Sequence, residues 1–178
     1  NNLSYKVGFD WFINDKNALT VYTNQWYGNN TSGIHTNIIK GDKGDLNKND
    51  IFSDSKSSDY SLNYKHDFNK DDHNIVLDAF YSTSDRDDSR DYTNTYPINE
   101  FYQEFRDDNT TNTRINLDYT NQIVDAGKIE AGVQFRRETN DNNLVSTDIV
   151  TEGANSFNPN VDFEFERKFY SGYANYKQ

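Results

Sequence analysis

Segments that alternate apolar and polar residues with a period of two recur along this chain, and the connections between them alternate short and long. The clearest segment, Leu3-Ser4-Tyr5-Lys6-Val7-Gly8-Phe9-Asp10-Trp11, sets Leu3, Tyr5, Val7, Phe9 and Trp11 against Ser4, Lys6, Gly8 and Asp10. Successive side chains of a strand point to opposite faces, so this is a strand with one apolar and one polar face. Hairpins tight at one end of a sheet and loose at the other imply different surroundings at the two ends. The pattern predicts an all-β fold: an antiparallel transmembrane β-barrel segment of about seven meandering strands, with short periplasmic turns and long extracellular loops.

The first strand ends at Ile13 and turns through Asn14-Asp15-Lys16-Asn17. The second, from about Ala18 to Gly28, is ambiguous in facing, because Leu19 and Val21 suggest one apolar side and Tyr22 and Trp26 the other. A polar stretch from Asn29 to about Ser58 reads as a long loop. The third strand places Tyr60, Leu62, Tyr64 and Phe68 opposite Ser61, Asn63, Lys65 and Asp67, and Asn69-Lys70-Asp71-Asp72 turns it back. The fourth places Ile75, Leu77, Ala79 and Tyr81 on one face. A second long loop runs from about Ser84 to Thr110. The fifth strand carries Ile115, Leu117 and Tyr119, and returns through Asn121 to Gly127. The sixth carries Ile129, Ala131, Val133 and Phe135. A third long loop spans Asn140 to Asn160, and the last strand begins with Val161, Phe163 and Phe165. Gly33–Lys40, Ile98–Phe105 and Leu144–Val150 read as extensions of loops beyond the membrane rather than as further strands.

Aromatics make up 15% of the chain although mean hydropathy is −1.04. A soluble chain this polar invites disorder, but tyrosines and phenylalanines at alternating positions point to ordered β structure. A barrel reconciles the two, since only every second strand residue meets lipid. No run of about 18 apolar residues is present, so no helix crosses a membrane. A formal charge of −11 argues against nucleic acid as a partner, because phosphates would be repelled. With no cysteine there is no disulfide framework and no thiolate metal site. The competing fold is a soluble β-sandwich, whose turn signals recur at regular spacing. Seven is an odd count for a bacterial barrel, and open edges are not tolerated in hydrocarbon. The arc of a larger barrel is therefore the favoured reading, with residues 1–178 a partial outer-membrane domain that includes no plug.

Three stretches carry a family resemblance. Leu3-Ser4-Tyr5-Lys6-Val7-Gly8 precedes Phe12-Ile13-Asn14-Asp15-Lys16-Asn17, and Leu117-Asp118-Tyr119-Thr120 runs toward Gly127-Lys128-Ile129-Glu130-Ala131-Gly132. Phe165-Glu166-Arg167 then leads into Tyr170-Ser171-Gly172-Tyr173-Ala174-Asn175-Tyr176. Their succession resembles the barrel domain of TonB-dependent outer-membrane receptors of the kind common in Bacteroidetes. The resemblance implies a barrel of about 22 strands with a plugged lumen. It also implies uptake of scarce ligands, such as iron chelates, oligosaccharides or peptides, driven by energy relayed from the inner membrane. The implied partners are outer-membrane lipid, the TonB system acting through a plug domain not in this chain, and a surface lipoprotein.

The residues expected to face a wet lumen are Lys6, Asp10, Arg114, Asn116, Asp118, Glu130, Gln134 and Arg136. The middle of the second loop, from Tyr92 to Phe105, is aromatic beside amides and carboxylates, which suits stacking on a sugar ring or gripping a peptide. Tyr92, Tyr96, Phe101, Tyr102 and Trp26 are the ligand-binding candidates, although packing between loops explains the loop aromatics as well. Trp26 and Tyr27 also suit the aromatic girdle at the membrane interface. Asp45-Leu46-Asn47-Lys48-Asn49 and Asp67-Phe68-Asn69-Lys70-Asp71 echo a calcium loop, but Asp50 and Asp72 stand where its glycine is required. Both read as solvated acidic turns. Asp85-Arg86-Asp87-Asp88-Ser89-Arg90-Asp91 reads as a mixed-charge loop base that could face calcium or lipopolysaccharide. His35, His66 and His73 form no paired zinc spacing, and no nucleophile elbow or phosphate loop is present. No enzyme, cofactor or metal is expected. The alternatives are a secreted or surface β-sandwich that binds glycan or protein, and a non-transporting outer-membrane barrel in a secretion or adhesion complex.

Overall fold

Seven strands follow one another in a single antiparallel sheet whose spatial order is the chain order. The computed structural model describes residues 1–40, 43–69, 72–95, 100–123, 127–147 and 160–178. The strands are β1 (Asn2–Asn14), β2 (Asn17–Lys40), β3 (Lys43–Asp67), β4 (Asn74–Asn94), β5 (Glu100–Ile123), β6 (Gly127–Ser146) and β7 (Val161–Lys177). No apolar residue is buried among those described, and Val7, Phe9 and Val133 are each about 60% exposed. A β-sandwich needs a second sheet and a dry layer between the two. The described residues form one sheet and no such layer, so the sandwich reading falls.

The strands are much longer than the sequence pattern suggests. Gly33–Lys40 lies inside β2, Glu100–Phe105 inside β5 and Leu144–Ser146 inside β6. Ile98, Asn99 and residues 148–150 lie outside the described residues. The first two stretches read as long loops are therefore mostly strand, β2 and β3 staying paired from Asn17↔His66 to Lys40↔Lys43, while β6 carries the start of the third as far as Ser146. Pattern reading missed this because those residues alternate one polar type with another, which leaves no hydrophobic period to detect. The two-ended asymmetry remains. At one end β1 turns tightly into β2 after Asn14, and β6 opens on Gly127, whose φ is +106°. At the other end three pairs of strands project far out.

Register shows where a bilayer fits. One face carries Leu3, Tyr5, Val7, Phe9 and Trp11 of β1, and Leu19, Val21 and Tyr27 of β2. It continues through Tyr60, Leu62 and Tyr64, then Ile75, Leu77, Ala79 and Tyr81, then Ile115, Leu117 and Tyr119. Ile129, Ala131, Val133 and Phe135, with Tyr170, Ala174 and Tyr176, complete it. Aromatic residues edge this band on most strands, as girdles do at the two interfaces. The band is also diagonal. The register row through Leu3 and Tyr27 reaches Glu164 on β7, whereas the upper apolar residue of β7 is Tyr170. That offset is about one residue per strand, or roughly 3.4 Å for each 4.8 Å step, which corresponds to strands tilted by about 35°.

A strand of 24 residues such as β2 is about 80 Å long, and a tilted crossing uses only about 9–11 residues. More than half of β2, β3 and β5 therefore lies beyond the band. The sheet has a membrane zone and an extension.

Candidate functional site: the polar face and its outer extension

Register places all eight residues expected at a lumen on one face of the sheet, opposite the apolar band. Asp10, Asn116 and Gln134 share one row. Arg114 and Arg136 share the next, while Lys6, Asp118 and Glu130 fall on nearby rows of the same face. Neighbouring strands satisfy one another there. Thr20 Oγ1 donates to Asp10 Oδ1 at 2.6 Å, Asn63 to Asp78 at 2.6 Å and Gln134 to Asn116 at 2.8 Å. Cations lie over rings on this face, Lys6 Nζ 4.2 Å from the centre of Tyr22 and Arg114 5.6 Å from that of Phe80. Such contacts keep polar groups ordered beside water without needing burial.

Tyr173 reaches across a whole strand on this face. Its hydroxyl donates to Asp118 Oδ1 at 2.7 Å, from β7 over β6 to β5. Gly132 of β6 lies beneath, where a Cβ would stand 2.3 Å from Asp118 Oδ1 and 2.4 Å from Tyr173 Cε1. Glycine is required for that close approach.

The facing of β2 is settled by its neighbours. Leu19 and Val21 join the apolar band, while Tyr22 and Trp26 join the polar face. The girdle position expected for the Trp26–Tyr27 pair therefore belongs to Tyr27 alone. On β7 the pattern inverts: Val161, Phe163, Phe165 and Phe169 lie on the polar face above the band, and Asp162, Glu164 and Glu166 on the other.

The run Asp85–Asp91 is strand rather than loop base, and the strand sorts its charges. Arg86, Asp88 and Arg90 go to the polar face, and Asp85, Asp87 and Asp91 to the opposite one. On the polar face the charges are paired: Arg86 with Asp88 at 2.9 Å, Arg106 with Asp108 at 2.8 Å and Arg90 with Glu104 at 3.2 Å. Burial pushes the Asp88 carboxyl up, but the Ser53 hydroxyl and the Arg86 guanidinium outweigh that and hold it below its ordinary value. The opposite face is unbalanced. Asp54, Asp87 and Asp107 stand directly across from one another on β3, β4 and β5. Asp45–Asn49 is also strand, not an acidic turn, and its alternate positions are about 7 Å apart instead of wrapped around a cation. In the second calcium-like run, Lys70 and Asp71 lie outside the described residues.

Of the ligand-binding candidates, the structure brings together Tyr92 and Tyr102. They pair directly across β4 and β5 on the polar face, with ring centres 4.7 Å apart, and Asn47 donates to the Tyr92 hydroxyl at 2.9 Å. Phe101 lies on the opposite face, and Trp26 is on the polar face but several rows nearer the membrane zone. Tyr96 lies outside the described residues. Sequence reasoning missed the polar neighbours of the tyrosines. Asn49 pairs with Tyr92, and Arg90, Glu104 and Ser146 form the adjacent row. The signal was the alternation of Arg and Asp itself, which marks a two-sided strand once register is known.

The profile of the outer membrane protein β-barrel family matches residues 66–178. The chain belongs to that family, and its place is the outer membrane. Among solved structures, CarO of Acinetobacter baumannii is similar at 13% identity over 86% of this chain and 81% of that one, with a TM-score of 0.23. At that score the likeness bears on neither fold nor function, and the assignment rests on the family match. No curated protein matches the chain.

Proposed function

We propose that this chain is an arc of a larger barrel and that the barrel is a TonB-dependent receptor, capturing a scarce ligand outside the cell and passing it inward. β1 and β7 each pair with a neighbour on one side only. In hydrocarbon such edges must be paired, so further strands complete the ring. One observation carries the receptor reading: a polar, hydrogen-bonded face continues without a break from the membrane zone into an extension long enough to stand well outside the cell.

In this reading Lys6, Asp10, Arg114, Asn116, Asp118, Glu130, Gln134 and Arg136 line the wet interior around a plug domain. Tyr92 and Tyr102 belong to the capture surface. Energy comes from the inner membrane through TonB, and a surface lipoprotein delivers or covers the ligand. No catalytic step is assigned. The test is uptake by cells carrying the intact protein, with the energised inner membrane intact or collapsed. Uptake should stop when energy is withdrawn. Uptake that continues unchanged would identify a passive pore and overturn the transporter class.

A further inference from the structure

We infer that the polar face binds a soluble polyanion, a solute carrying two or more phosphate or carboxylate groups, on Arg114, Arg136 and Arg167 at the outer edge of the membrane zone. The inference rests on this face lining a wet interior and does not need energy-driven uptake. Two adjacent register rows on β4 to β7 form the site, Phe80–Arg114–Arg136–Phe169 and Ser82–Asn112–Glu138–Arg167. Just below this level the other face of the sheet carries Phe135 and Tyr170, the upper apolar residues of β6 and β7. The arginines therefore stand where the extension meets the membrane zone. They span three strands and two rows, about 10 Å by 7 Å, which matches a solute with two or three anionic groups.

The charges here do not balance. Three guanidiniums stand around one carboxylate. Glu138 accepts from Arg136 and from Arg167, whose Nε lies at 3.0 Å. Arg114 has no carboxylate partner among the described residues and lies instead over the Phe80 ring. Asp78 and Asp118, lower on the same face, already accept from Asn63 at 2.6 Å and from the Tyr173 hydroxyl at 2.7 Å. Arg114 and Arg136 also pair directly across β5 and β6, and like charges so placed destabilise a sheet. The extension is built differently, with one carboxylate for each of Arg86, Arg90 and Arg106. In a chain of formal charge −11, a local excess of cations calls for an anion from outside.

The cations are accessible and held in place. The Arg136 and Arg167 side chains are about half exposed, and Arg114 is exposed as well. Phe169 lies under Arg167 at 4.7 Å and under Arg136 at 6.0 Å, which orients the guanidinium planes without neutralising them. Guanidinium forks match carboxylate and phosphate oxygens two at a time. An anion seated between Arg114 and Arg136 removes their repulsion, whereas a neutral solute leaves it and a cation adds to it. Rings of arginine or lysine select anions in pores for the same reason.

The test uses the intact outer-membrane protein, purified in detergent and titrated calorimetrically with pyrophosphate, citrate and uncharged sucrose. Pyrophosphate or citrate should bind, and added salt should weaken the binding. Arg114→Gln leaves no carboxylate unpaired and should weaken it by about tenfold, the loss of one charge-assisted contact. Glu138→Gln removes the one competing anion and should tighten it several-fold, a gain that a merely structural role for these residues would not produce. Heat-modifiable gel mobility verifies that both variants fold. As a second readout, pyrophosphate should raise the urea midpoint of the unaltered protein more than that of Arg114→Gln. Binding that Arg114→Gln leaves unchanged overturns the site, and sucrose binding as tightly as the anions overturns the ligand class. Failure of both anions to bind overturns the inference outright, and the uptake assay decides separately whether energised transport stands.

Discussion

The membrane zone and the extension are built from the same strands, yet their faces are reversed in character. In the zone, one face is apolar and the other is a ladder of amides, hydroxyls and carboxylates. In the first rows of the extension, the face continuous with the apolar band is acidic. Two of its register rows hold Asp54, Asp85, Asp87, Asp107, Asp141, Asp162 and Glu164 against the single cation Lys56. The other face there holds ion pairs, stacked tyrosines and Phe163 and Phe165. Period-two alternation survives throughout, and only what alternates changes. A strand needs two faces suited to two surroundings, and the surroundings change where hydrocarbon ends.

The largest effect should come from confusing the two faces inside the zone. Leu77 lies mid-band on β4, paired with Leu117 across β5. Leu77→Arg should cost about 2–4 kcal/mol of folding free energy in a bilayer, the known penalty of a lipid-facing cation near mid-depth. Asn116→Arg, one row away on the polar face beside Gln134, should cost far less. Urea unfolding in lipid vesicles measures both. Equal losses at the two positions would remove the assignment of lipid and lumen faces.

A smaller effect is expected where the polar face is crowded. Gly132→Ala would drive a methyl group into the Tyr173–Asp118 contact and should cost about 1.5–3 kcal/mol, the range for losing a hydrogen bond to a charged group. Gly172→Ala is the control, because its nearest neighbour, the Gly132 carbonyl oxygen, is 3.5 Å from the new Cβ. The same unfolding assay separates them, and a Gly132 variant as stable as the Gly172 one would show that the tyrosine bridge contributes nothing.

How much of this was legible in the sequence depended on what alternated. Leu3 to Trp11, Ile75 to Tyr81 and Ile129 to Phe135 alternate apolar with polar, so the seven strands and the facing of these three could be read directly. In β2 both faces carry large apolar groups, and only pairing with β1 and β3 sends Tyr22 and Trp26 to the polar side. In the extension the alternation is Asp against Arg, invisible to any hydrophobic scale, so true strand was read as loop. The tyrosine pair was within reach because aromatic residues stand out in a polar stretch. Asn49, Arg90 and Ser146 were not, since only register puts them on one face of strands far apart in sequence.

Acid should loosen the extension before the zone. Asp88, held below its ordinary value by Ser53 and Arg86, favours the folded extension at any pH above the unfolded carboxylate range. A depressed folded pKa means this contribution is complete above about pH 4 and lost as pH falls through the lower folded value. Amide protection at β3 and β4 positions 51–55 and 86–90, relative to the intrinsic exchange rate at each pH, should therefore fall below about pH 4, while positions 75–81 keep theirs. Uniform loss of protection along β4 would mean that Asp88 does not act locally.

The smallest effect should be a gain. Asp87 faces Asp54 on one side and Asp107 on the other, and like charges directly opposite destabilise a sheet. Asp87→Asn keeps the size and removes both repulsions, so the outer half of β4 should become more protected by about 0.2–1 kcal/mol, the range for one cross-strand pair. Added salt should reduce that gain, because exposed charges are screened within about 8–10 Å at ordinary ionic strength. Asp88→Asn, one residue away on the paired face, should do the reverse and loosen the same segment, since Arg86 would lose its partner. If the two adjacent substitutions shifted exchange in the same direction, the extension would not have the two opposed faces that its register describes.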